Sequence, residues 1–399
     1  MLASLGGTPV RKKFLPYGRQ HLDDTDIETV SNILRGDWLT TGPTVEKFES
    51  SFAAWNNVEY AIAVSSGTAA LHAASFAAGF TSGDEVITSP LTFAATANCI
   101  LYQGASPVFA DVDPNTLCIS PKEIEKKITS KTKGIIVMHY AGQPCEMDQV
   151  MSLAEEYKLV VIEDACHAMG STYKGKQAGT IGHLACYSFH PVKHITTGEG
   201  GMVVTSNDEW AKRIRGFRNH GMSTNSRQRN KAGEWVSDMS DLGYNYRLSD
   251  FQSALGFRQL SKVNDSIKRR REIAQSYDKS FKKSNILEPI TVMPENNPSW
   301  HIYPILLNLN TLSVGRKEIY KDMRAENIGV NVHYRPVHMH SYYKHRFGYL
   351  PGDFPNAENA YDRLLTLPIF PQMTDQDVQD VIKAIEKVSS HYIHKYRDI

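Results

Sequence analysis

Long hydrophobic runs are missing from this chain of 399 residues. No apolar stretch reaches the roughly 18 residues that a membrane-spanning helix requires, so we expect no membrane partner. The N-terminus also lacks the apolar segment of about 7–15 residues that a secretory signal contains. Cysteine is scarce, since the chain has five scattered cysteines and none with CxxC spacing. This usage argues against a zinc site and favours a reduced, cytoplasmic setting.

An excess of charge of either sign is absent too. The chain has 44 lysines and arginines against 43 aspartates and glutamates. This balance gives no global basic field, so we predict no nucleic-acid partner. The remaining composition, 41% hydrophobic and 22% charged, is typical of a globular protein long enough for two domains.

The first half of the chain alternates short apolar runs with helical patterns. Several runs are nearly continuous in Val and Ile, as is usual for strands that are covered on both faces. Helical patterns at 68–79 and 147–157 lie between them, which predicts a mostly parallel sheet with helices on both sides. The last two runs have little between them, so we expect a hairpin and one antiparallel strand there. The seven predicted strands are 60–65, 85–89, 107–111, 134–139, 158–163, 184–189 and 201–205.

The second half of the chain has an α+β pattern. A long helix is predicted to begin at Ser249, which has capping-box spacing with Gln252. We expect this helix to link a large domain, residues 1–255, to a smaller C-terminal domain, residues 256–399. The elements predicted for the smaller domain are a strand at 302–308, a helix near 314–326, a strand at 329–333 and a last helix opened by Thr374.

Two positions after predicted strands suit an anion. Gly67 and Thr68 stand at the turn between a strand and an Ala-rich helix. A helix N-terminus offers free N–H groups and a partial positive charge, and glycine lets a phosphate approach the backbone. Ser188, at the end of another strand, is a further candidate phosphate ligand. An ordinary capped strand-to-helix turn is the alternative for the first of these sites.

Asp164 and Lys193 are candidates for the chemistry itself. Asp164 directly follows the apolar strand 158–163, and open α/β sheets bind ligands beyond the carboxyl ends of their strands. There its carboxylate could pair with a protonated ring nitrogen. Lys193 lies between a His-Pro turn and a glycine-rich segment, where partial desolvation would make its amine nucleophilic. Taken singly, the alternatives are a helix N-cap aspartate and a solvated surface lysine.

Together these residues indicate pyridoxal phosphate. That cofactor requires a lysine for a Schiff base, an acidic partner for its ring nitrogen, and a phosphate site. Phe93, at the end of another predicted strand, could stack on the cofactor ring, although plain core packing is the alternative. Asn245 and Arg247 precede the capped helix, where a loop with a buried tyrosine pair is the alternative reading.

The motifs SSGTAAL, EDACHA, SFHPVK, TTGEGG and GYNYRLSD together resemble those of the DegT/DnrJ/EryC1 family of sugar aminotransferases. The resemblance extends along nearly the whole chain. It implies the fold-type I aminotransferase architecture, with a mostly parallel seven-stranded sheet in the large domain and a smaller α+β C-terminal domain. Only Ser65-Ser66 departs from the usual pattern, since Ser-Asn is common there.

The resemblance also implies a role for each candidate residue. Lys193 would hold the cofactor and shuttle the proton, Asp164 would pair with the ring nitrogen, and His167 would contact the ring hydroxyl. Asn245 would reach the cofactor phosphate of a neighbouring subunit, which requires a homodimer. The remaining assignments are Gly67, Thr68 and Ser188 to the phosphate, Phe93 to the ring face, and Tyr17, His333 and His338 to the substrate.

The substrate expectation also comes from the resemblance. Segments 138–148, 188–201, 300–303, 333–343 and 352–358 are most similar to those of aminotransferases of the pseudaminic acid pathway. This implies transfer of an amino group from L-glutamate to C4 of UDP-2-acetamido-2,6-dideoxy-β-L-arabino-hex-4-ulose. Perosamine, viosamine and 3-amino-sugar enzymes of the same family are alternatives.

Two readings from other classes stay open. Some relatives replace the lysine with histidine and act as dehydratases or bind the cofactor without transamination, but Lys193 is present here. A metal site is the other reading, although no acidic ligand or HExxH spacing accompanies the clustered histidines. Those histidines are His333, His338, His340 and His345.

Overall fold

The computed structural model describes residues 1–224, 229, 233 and 235–393. Its strands are β1 (Tyr60–Val64), β2 (Glu85–Thr88), β3 (Ser106–Phe109), β4 (Thr132–Met138), β5 (Val160–Asp164), β6 (Thr172–Tyr173), β7 (Lys176–Gln177), β8 (Leu184–Ser188), β9 (Gly201–Thr205), β10 (Leu287–Pro289), β11 (Asn296–Asn297), β12 (Tyr303–Leu307) and β13 (Leu364–Leu367). The α-helices are α1 (Asp24–Leu34), α2 (Pro43–Asn56), α3 (Gly67–Ala77), α4 (Ala94–Tyr102), α5 (Pro121–Lys127), α6 (Met147–Tyr157), α7 (Asp208–Phe217), α8 (Asp250–Leu260), α9 (Val263–Phe281), α10 (Arg316–Ala325), α11 (Ser341–Phe347), α12 (Pro355–Arg363) and α13 (Asp375–His391). No helix in these ranges combines the length and hydrophobicity needed to cross a bilayer.

The central sheet has seven strands in the order β1-β9-β8-β5-β4-β2-β3. β2, β3, β4, β5 and β8 pair in parallel, whereas β9 is antiparallel to both β1 and β8. The predicted mostly parallel sheet with one antiparallel strand is therefore confirmed. Helices cover both faces, and the strand interiors are buried, as their Val- and Ile-rich sequences predict.

The helix predicted from Ser249 begins where expected but is not continuous. Ser249 accepts a hydrogen bond from the Gln252 amide, and the Gln252 side chain accepts one from the Ser249 amide, which forms the predicted capping box. The helix then breaks between α8 and α9, so the expectation of one long helix was wrong. At the break the Lys262 ammonium lies 2.7 Å from a carboxylate oxygen of Asp23 and 2.5 Å from one of Asp26. These contacts hold the break against the start of α1.

The C-terminal part differs from the prediction at one strand. β12, α10 and the Thr374-capped α13 all form as expected. Segment 329–333, however, is not a strand, and its pairing is an isolated bridge between Asn331 and Thr366. The Asn331 side chain accepts a hydrogen bond from the Val332 amide at 2.8 Å. A side chain that binds the neighbouring amide competes with a strand ladder for it.

The two halves of the chain share one hydrophobic core. A single buried cluster contains Ile135 and Val137 of the central sheet together with Tyr277 and Leu306 of the C-terminal part. α8 packs on α1 and α2, whereas α9 packs on α13 and β10. The predicted boundary at residue 255 falls inside α8 and stays a prediction.

Candidate active site

The carboxyl ends of β5 and β8 meet the start of α3, which brings predicted site residues together. Gly67 lies so close to Ser188 that a Cβ on Gly67 would stand 2.7 Å from the Ser188 Cβ. Gly201 of β9 is equally constrained, because a Cβ there would stand 2.4 Å from the Ser66 carbonyl oxygen. Glycine at both positions is therefore required for this close packing.

The N-terminus of α3 keeps unsatisfied amides. The Ser66 hydroxyl accepts a hydrogen bond from the Ala69 amide at 3.0 Å, and the Ser66 carbonyl accepts one from the Ala70 amide. The amides of Gly67 and Thr68 have no intrahelical acceptor at these positions. Their N–H groups and the helix dipole suit a phosphate, with the Ser188 hydroxyl beside them.

Asp164 is the last residue of β5 and is only 3% exposed. One of its carboxylate oxygens accepts a hydrogen bond from the Thr96 hydroxyl at 2.7 Å, and the other accepts one from the Cys166 amide at 3.2 Å. The Thr96 hydroxyl also contacts that of Thr92 at 2.7 Å. A carboxylate has about four acceptor positions, so these two bonds orient Asp164 and leave room for a ring N–H.

Lys193 lies in the turn after β8, where its amide donates to the His190 carbonyl at 2.9 Å. Its side chain is close enough to Asp164 and Cys166 to interact electrostatically with both. Burial lowers the pKa of Lys193, the two neighbours oppose this shift in part, and the Arg270 charge adds to it. A lowered pKa increases the fraction of neutral, nucleophilic amine at neutral pH.

His167 is buried beside this group. Its Nε2 lies 2.9 Å from the Tyr334 hydroxyl, and its ring centroid lies 4.3 Å from that of His301. Burial and then the Lys193 charge hold the pKa of His167 well below its usual value. Its Nδ1 is buried and has no hydrogen-bond partner among the described residues, which leaves it available to a cofactor hydroxyl.

Phe93 is 55% exposed, at the start of α4. Its centroid lies 5.8 Å from the ring of Tyr334, which in turn contacts His167. The core-packing alternative is wrong because so much of the ring is open to solvent. The exposed face can stack on a planar ligand.

Two of the predicted substrate residues contact each other. The rings of Tyr17 and His333 lie 5.4 Å apart, and His333 is next to Tyr334 in the chain. The Nδ1 of His333 lies 3.0 Å from the Thr366 hydroxyl. Burial and the Lys193 charge lower the pKa of His333 to about 3, so this ring is neutral at physiological pH.

His338, the third predicted substrate residue, lies in a different environment. Its side chain is fully buried, with Nε2 3.0 Å from a Glu358 oxygen and the ring packed on Phe354 and Tyr349. These contacts fix the position of the His338 ring, and its predicted contact with substrate stays a prediction. No group of three or more metal-ligating side chains is found in the described part of the chain.

Asn245 is exposed, and its backbone pairs with Asn219 in an isolated bridge. The flanking rings of Tyr244 and Tyr246 are stacked at 5.0 Å, and the Tyr246 hydroxyl lies 3.2 Å from the Nδ1 of His72. The tyrosine pair thus fixes the backbone on both sides of Asn245. The exposed amide is open to another molecule.

The predictions missed four residues that complete the site: Thr96, Arg270, His301 and Tyr334. Each acts by orienting another group or by forming the wall of the site, so spacing along the chain gave no signal for it. His301 and Tyr334 do lie inside segments 300–303 and 333–343, which the family resemblance had already marked.

The sequence matches the model of the DegT/DnrJ/EryC1/StrS aminotransferase family over residues 20–386. One relative is an uncharacterized protein of Methanocaldococcus jannaschii, which is 44% identical over 96% of this chain and 99% of that protein. Another is the spore coat polysaccharide biosynthesis protein SpsC of Bacillus subtilis, which is 43% identical over 95% of this chain and 98% of that protein.

Solved structures give the same result. PseC of Helicobacter pylori, an aminotransferase involved in the biosynthesis of pseudoaminic acid, is 31% identical with a TM-score of 0.88 over 96% of this chain and all of that one. The pyridoxal-phosphate form of Spr1654, a putative sugar aminotransferase of Streptococcus pneumoniae, is 28% identical with a TM-score of 0.89. The match covers 95% of this chain and 99% of that one. A pyridoxamine-phosphate form of Spr1654 matches as well.

These matches agree with the site. The fold is that of the fold-type I aminotransferases, and the structures with bound cofactor indicate pyridoxal phosphate. The residues present fit that group. The buried Nδ1 of His167 has no partner among the described residues, and the Asp164 carboxylate is held in one orientation. The first amides of α3 lie beside them and can bind a phosphate. On the family match, the identity of the relatives and the fold together, the chain belongs to the DegT/DnrJ/EryC1/StrS aminotransferase family.

Proposed function

We propose that this protein transfers an amino group from L-glutamate to a keto-sugar nucleotide, with Lys193 as the residue that binds pyridoxal phosphate covalently. The observation that supports this most is the position of the Lys193 amine. It combines a lowered pKa with proximity to the buried carboxylate of Asp164 at the carboxyl edge of the sheet. Neither a solvated lysine nor a helix cap explains that arrangement.

Pyridoxal phosphate supplies an electron sink for the electrons released when a proton leaves the amino donor. Asp164, oriented by Thr96 and Cys166, would accept a hydrogen bond from the ring nitrogen and would keep it protonated. His167 would offer its free Nδ1 to the ring hydroxyl. Gly67, Thr68 and Ser188 would bind the phosphate, and Phe93 would cover the ring face.

Lys193 then acts as the proton carrier. Once free, its amine would accept a proton from the donor Cα and would carry it across to the cofactor. The reverse transfer takes place when the keto-sugar is bound. Two substrates that use one site in turn predict ping-pong kinetics.

The sugar is proposed from the relatives. SpsC is a spore coat polysaccharide biosynthesis protein, and PseC is an aminotransferase involved in the biosynthesis of pseudoaminic acid that matches 96% of this chain. We therefore propose the UDP-linked 4-keto-6-deoxy sugar of the pseudaminic acid pathway as substrate, with C4 as the acceptor carbon. Tyr17 and His333 would contact it. Perosamine, viosamine and 3-amino-sugar products remain the second candidates.

A homodimer is part of the proposal. The chain segment before Asn245 exposes large apolar side chains, including Trp235 at 89% and Leu242 at 77%. Apolar surface of this kind is typical of a protein contact. In the dimer Asn245 would reach the cofactor phosphate bound by the neighbouring subunit. The cytoplasmic setting expected from the cysteines is proposed alongside.

Two measurements test the function. The purified protein with cofactor should absorb at about 410–430 nm, and L-glutamate should bleach that band. A panel of keto-sugar nucleotides, with the product identified by NMR, should give a 4-amino UDP-sugar. A band that L-glutamate does not bleach would contradict L-glutamate as the amino donor. A product formed only from another nucleotide sugar would contradict the proposed UDP-linked 4-keto sugar as the acceptor.

A further inference from the structure

Arg270, on α9, is buried without a counter-ion. Its side chain is 1% exposed, and none of the ion pairs among the described residues includes it. Burial lowers the pKa of its guanidinium to about 10, so the group stays charged at neutral pH. A buried charge without an anion is costly, and here backbone oxygens compensate the two terminal nitrogens.

The guanidinium binds three separate segments of backbone. Its Nη1 donates to the carbonyl oxygens of Trp300, His301 and Ile369 at 3.2, 3.1 and 3.0 Å. Its Nη2 donates to the Val192 carbonyl at 3.3 Å. The planar, branched geometry of arginine allows this set of bonds, whereas a lysine ammonium has three donors on one atom.

Each of these segments borders the proposed active site. Val192 immediately precedes Lys193, and the His301 ring lies against that of His167. The Ile369 amide donates to the Tyr17 carbonyl at 3.1 Å, so this third segment also holds a proposed substrate residue. One side chain therefore connects the lysine turn to both the cofactor wall and the substrate wall.

We propose that Arg270 is a positioning residue that fixes the Lys193 amine by tying its turn to the His301 and Ile369 segments. This inference rests on the proposed role of Lys193. The Arg270 charge also disfavours protonation of Lys193, which lowers its pKa further. Arg270 itself touches neither substrate nor cofactor in this account.

Arg271 is a matched control on the same helix. It too donates to backbone carbonyls, those of Pro298 at 2.9 Å, Gly170 at 3.0 Å and Asn297 at 3.2 Å. None of its bonds goes to the Lys193 turn. Substitutions at Arg270 and Arg271 therefore remove similar bonds, but those at Arg270 alone affect the turn.

The test measures how fast the cofactor-free protein forms its covalent bond with added pyridoxal phosphate. The bond is followed by absorbance, trapped with borohydride and assigned to Lys193 by peptide mass. R270K should slow this reaction by about 10²-fold, since a displacement of about 1 Å costs that much. R271K should stay within about threefold of wild type. An R270K variant that reacts at the wild-type rate overturns the proposal.

The pH dependence separates positioning from simple stability. R270Q removes the charge, so the midpoint pH at which Lys193 becomes reactive should rise, whereas R271Q should leave it in place. A merely structural arginine would lower the melting temperature in both variants and move neither midpoint. If R270Q does not fold, the rate at which R270K forms its covalent bond with pyridoxal phosphate tests the proposal by itself. If wild-type protein forms no bond at Lys193, the proposed function fails, whatever Arg270 does.

Discussion

The side chain of Asp164 shows how a single residue is oriented for its proposed role. Two donors, the Thr96 hydroxyl and the Cys166 amide, bind its two oxygens and fix the plane of the carboxylate. A charge that is held in place before the reaction costs no reorganisation during it, which is why such groups contribute strongly to catalysis.

Asp164→Asn should lower kcat by about 10²-fold or more, because the amide cannot keep a ring nitrogen protonated. Thr96→Val, which removes one orienting bond and leaves the charge, should cost much less. Steady-state rates with glutamate and keto-sugar measure both effects. Wild-type rates in the asparagine variant would show that the ring nitrogen is not its partner.

His338 and His333 show what residue-level prediction from sequence cannot decide. They stand five positions apart with similar surroundings in the sequence, yet one contacts Tyr17 and the other is enclosed with Glu358 and Phe354. The difference depends on which distant segments pack over each ring. Motif residues at strand ends, such as Asp164, were predictable because the sheet itself determines where they lie.

At the scale of secondary structure, the contact between α3 and β8 forms the proposed phosphate site. The N-terminus of α3 comes so close to Ser188 that only glycine fits at position 67. Both elements were predictable from local sequence, as were the capping box at Ser249 and the helix start at Thr374. The break after α8 was not, because it depends on Asp23 and Asp26, which are more than 230 positions away in the chain.

Gly67→Ala should weaken cofactor binding by at least about tenfold, since the added methyl group must displace either Ser188 or the start of α3. Gly315→Ala is the control, because a Cβ there meets nothing closer than 3.7 Å. Equilibrium titration of the cofactor-free protein with pyridoxal phosphate gives both affinities. Equal affinities in the two variants would place the phosphate elsewhere.

At the scale of the whole molecule, several neutral histidines are buried around the site. Burial, together with nearby positive charges, lowers the pKa of His167, His194, His301 and His333. These rings lose protons on folding, so acid favours the unfolded chain, in which they can be protonated.

His333 provides the test of this acid sensitivity. Its folded pKa of about 3 lies below the unfolded value of about 6.5, so stability is lost as the pH falls from 6.5 toward 3. Between pH 7 and 5 the wild type should lose about 2 kcal/mol more than His333→Gln, at about 1.4 kcal/mol per pH unit below 6.5. Urea unfolding at both pH values measures this difference. Identical losses would show that His333 is protonated in the folded protein.

The proposed shared active site predicts complementation between two defective subunits. Lys193→Ala and Asn245→Ala should each be poorly active alone. After mixing and reassembly, half of the dimers should be mixed, and each mixed dimer should contain one intact site. Activity should therefore recover to about a quarter of the wild-type value. No recovery, with mixed dimers demonstrated by mass, would contradict a contribution of Asn245 to the neighbouring site.

The most direct test of the account is the identity of the residue that binds the cofactor. Protein saturated with pyridoxal phosphate is reduced with borohydride, digested and mapped by mass spectrometry. We expect one modified residue, Lys193, and no modification in Lys193→Ala, which should still bind the cofactor without a covalent bond. Modification of a different lysine, or of none, would contradict the central claim.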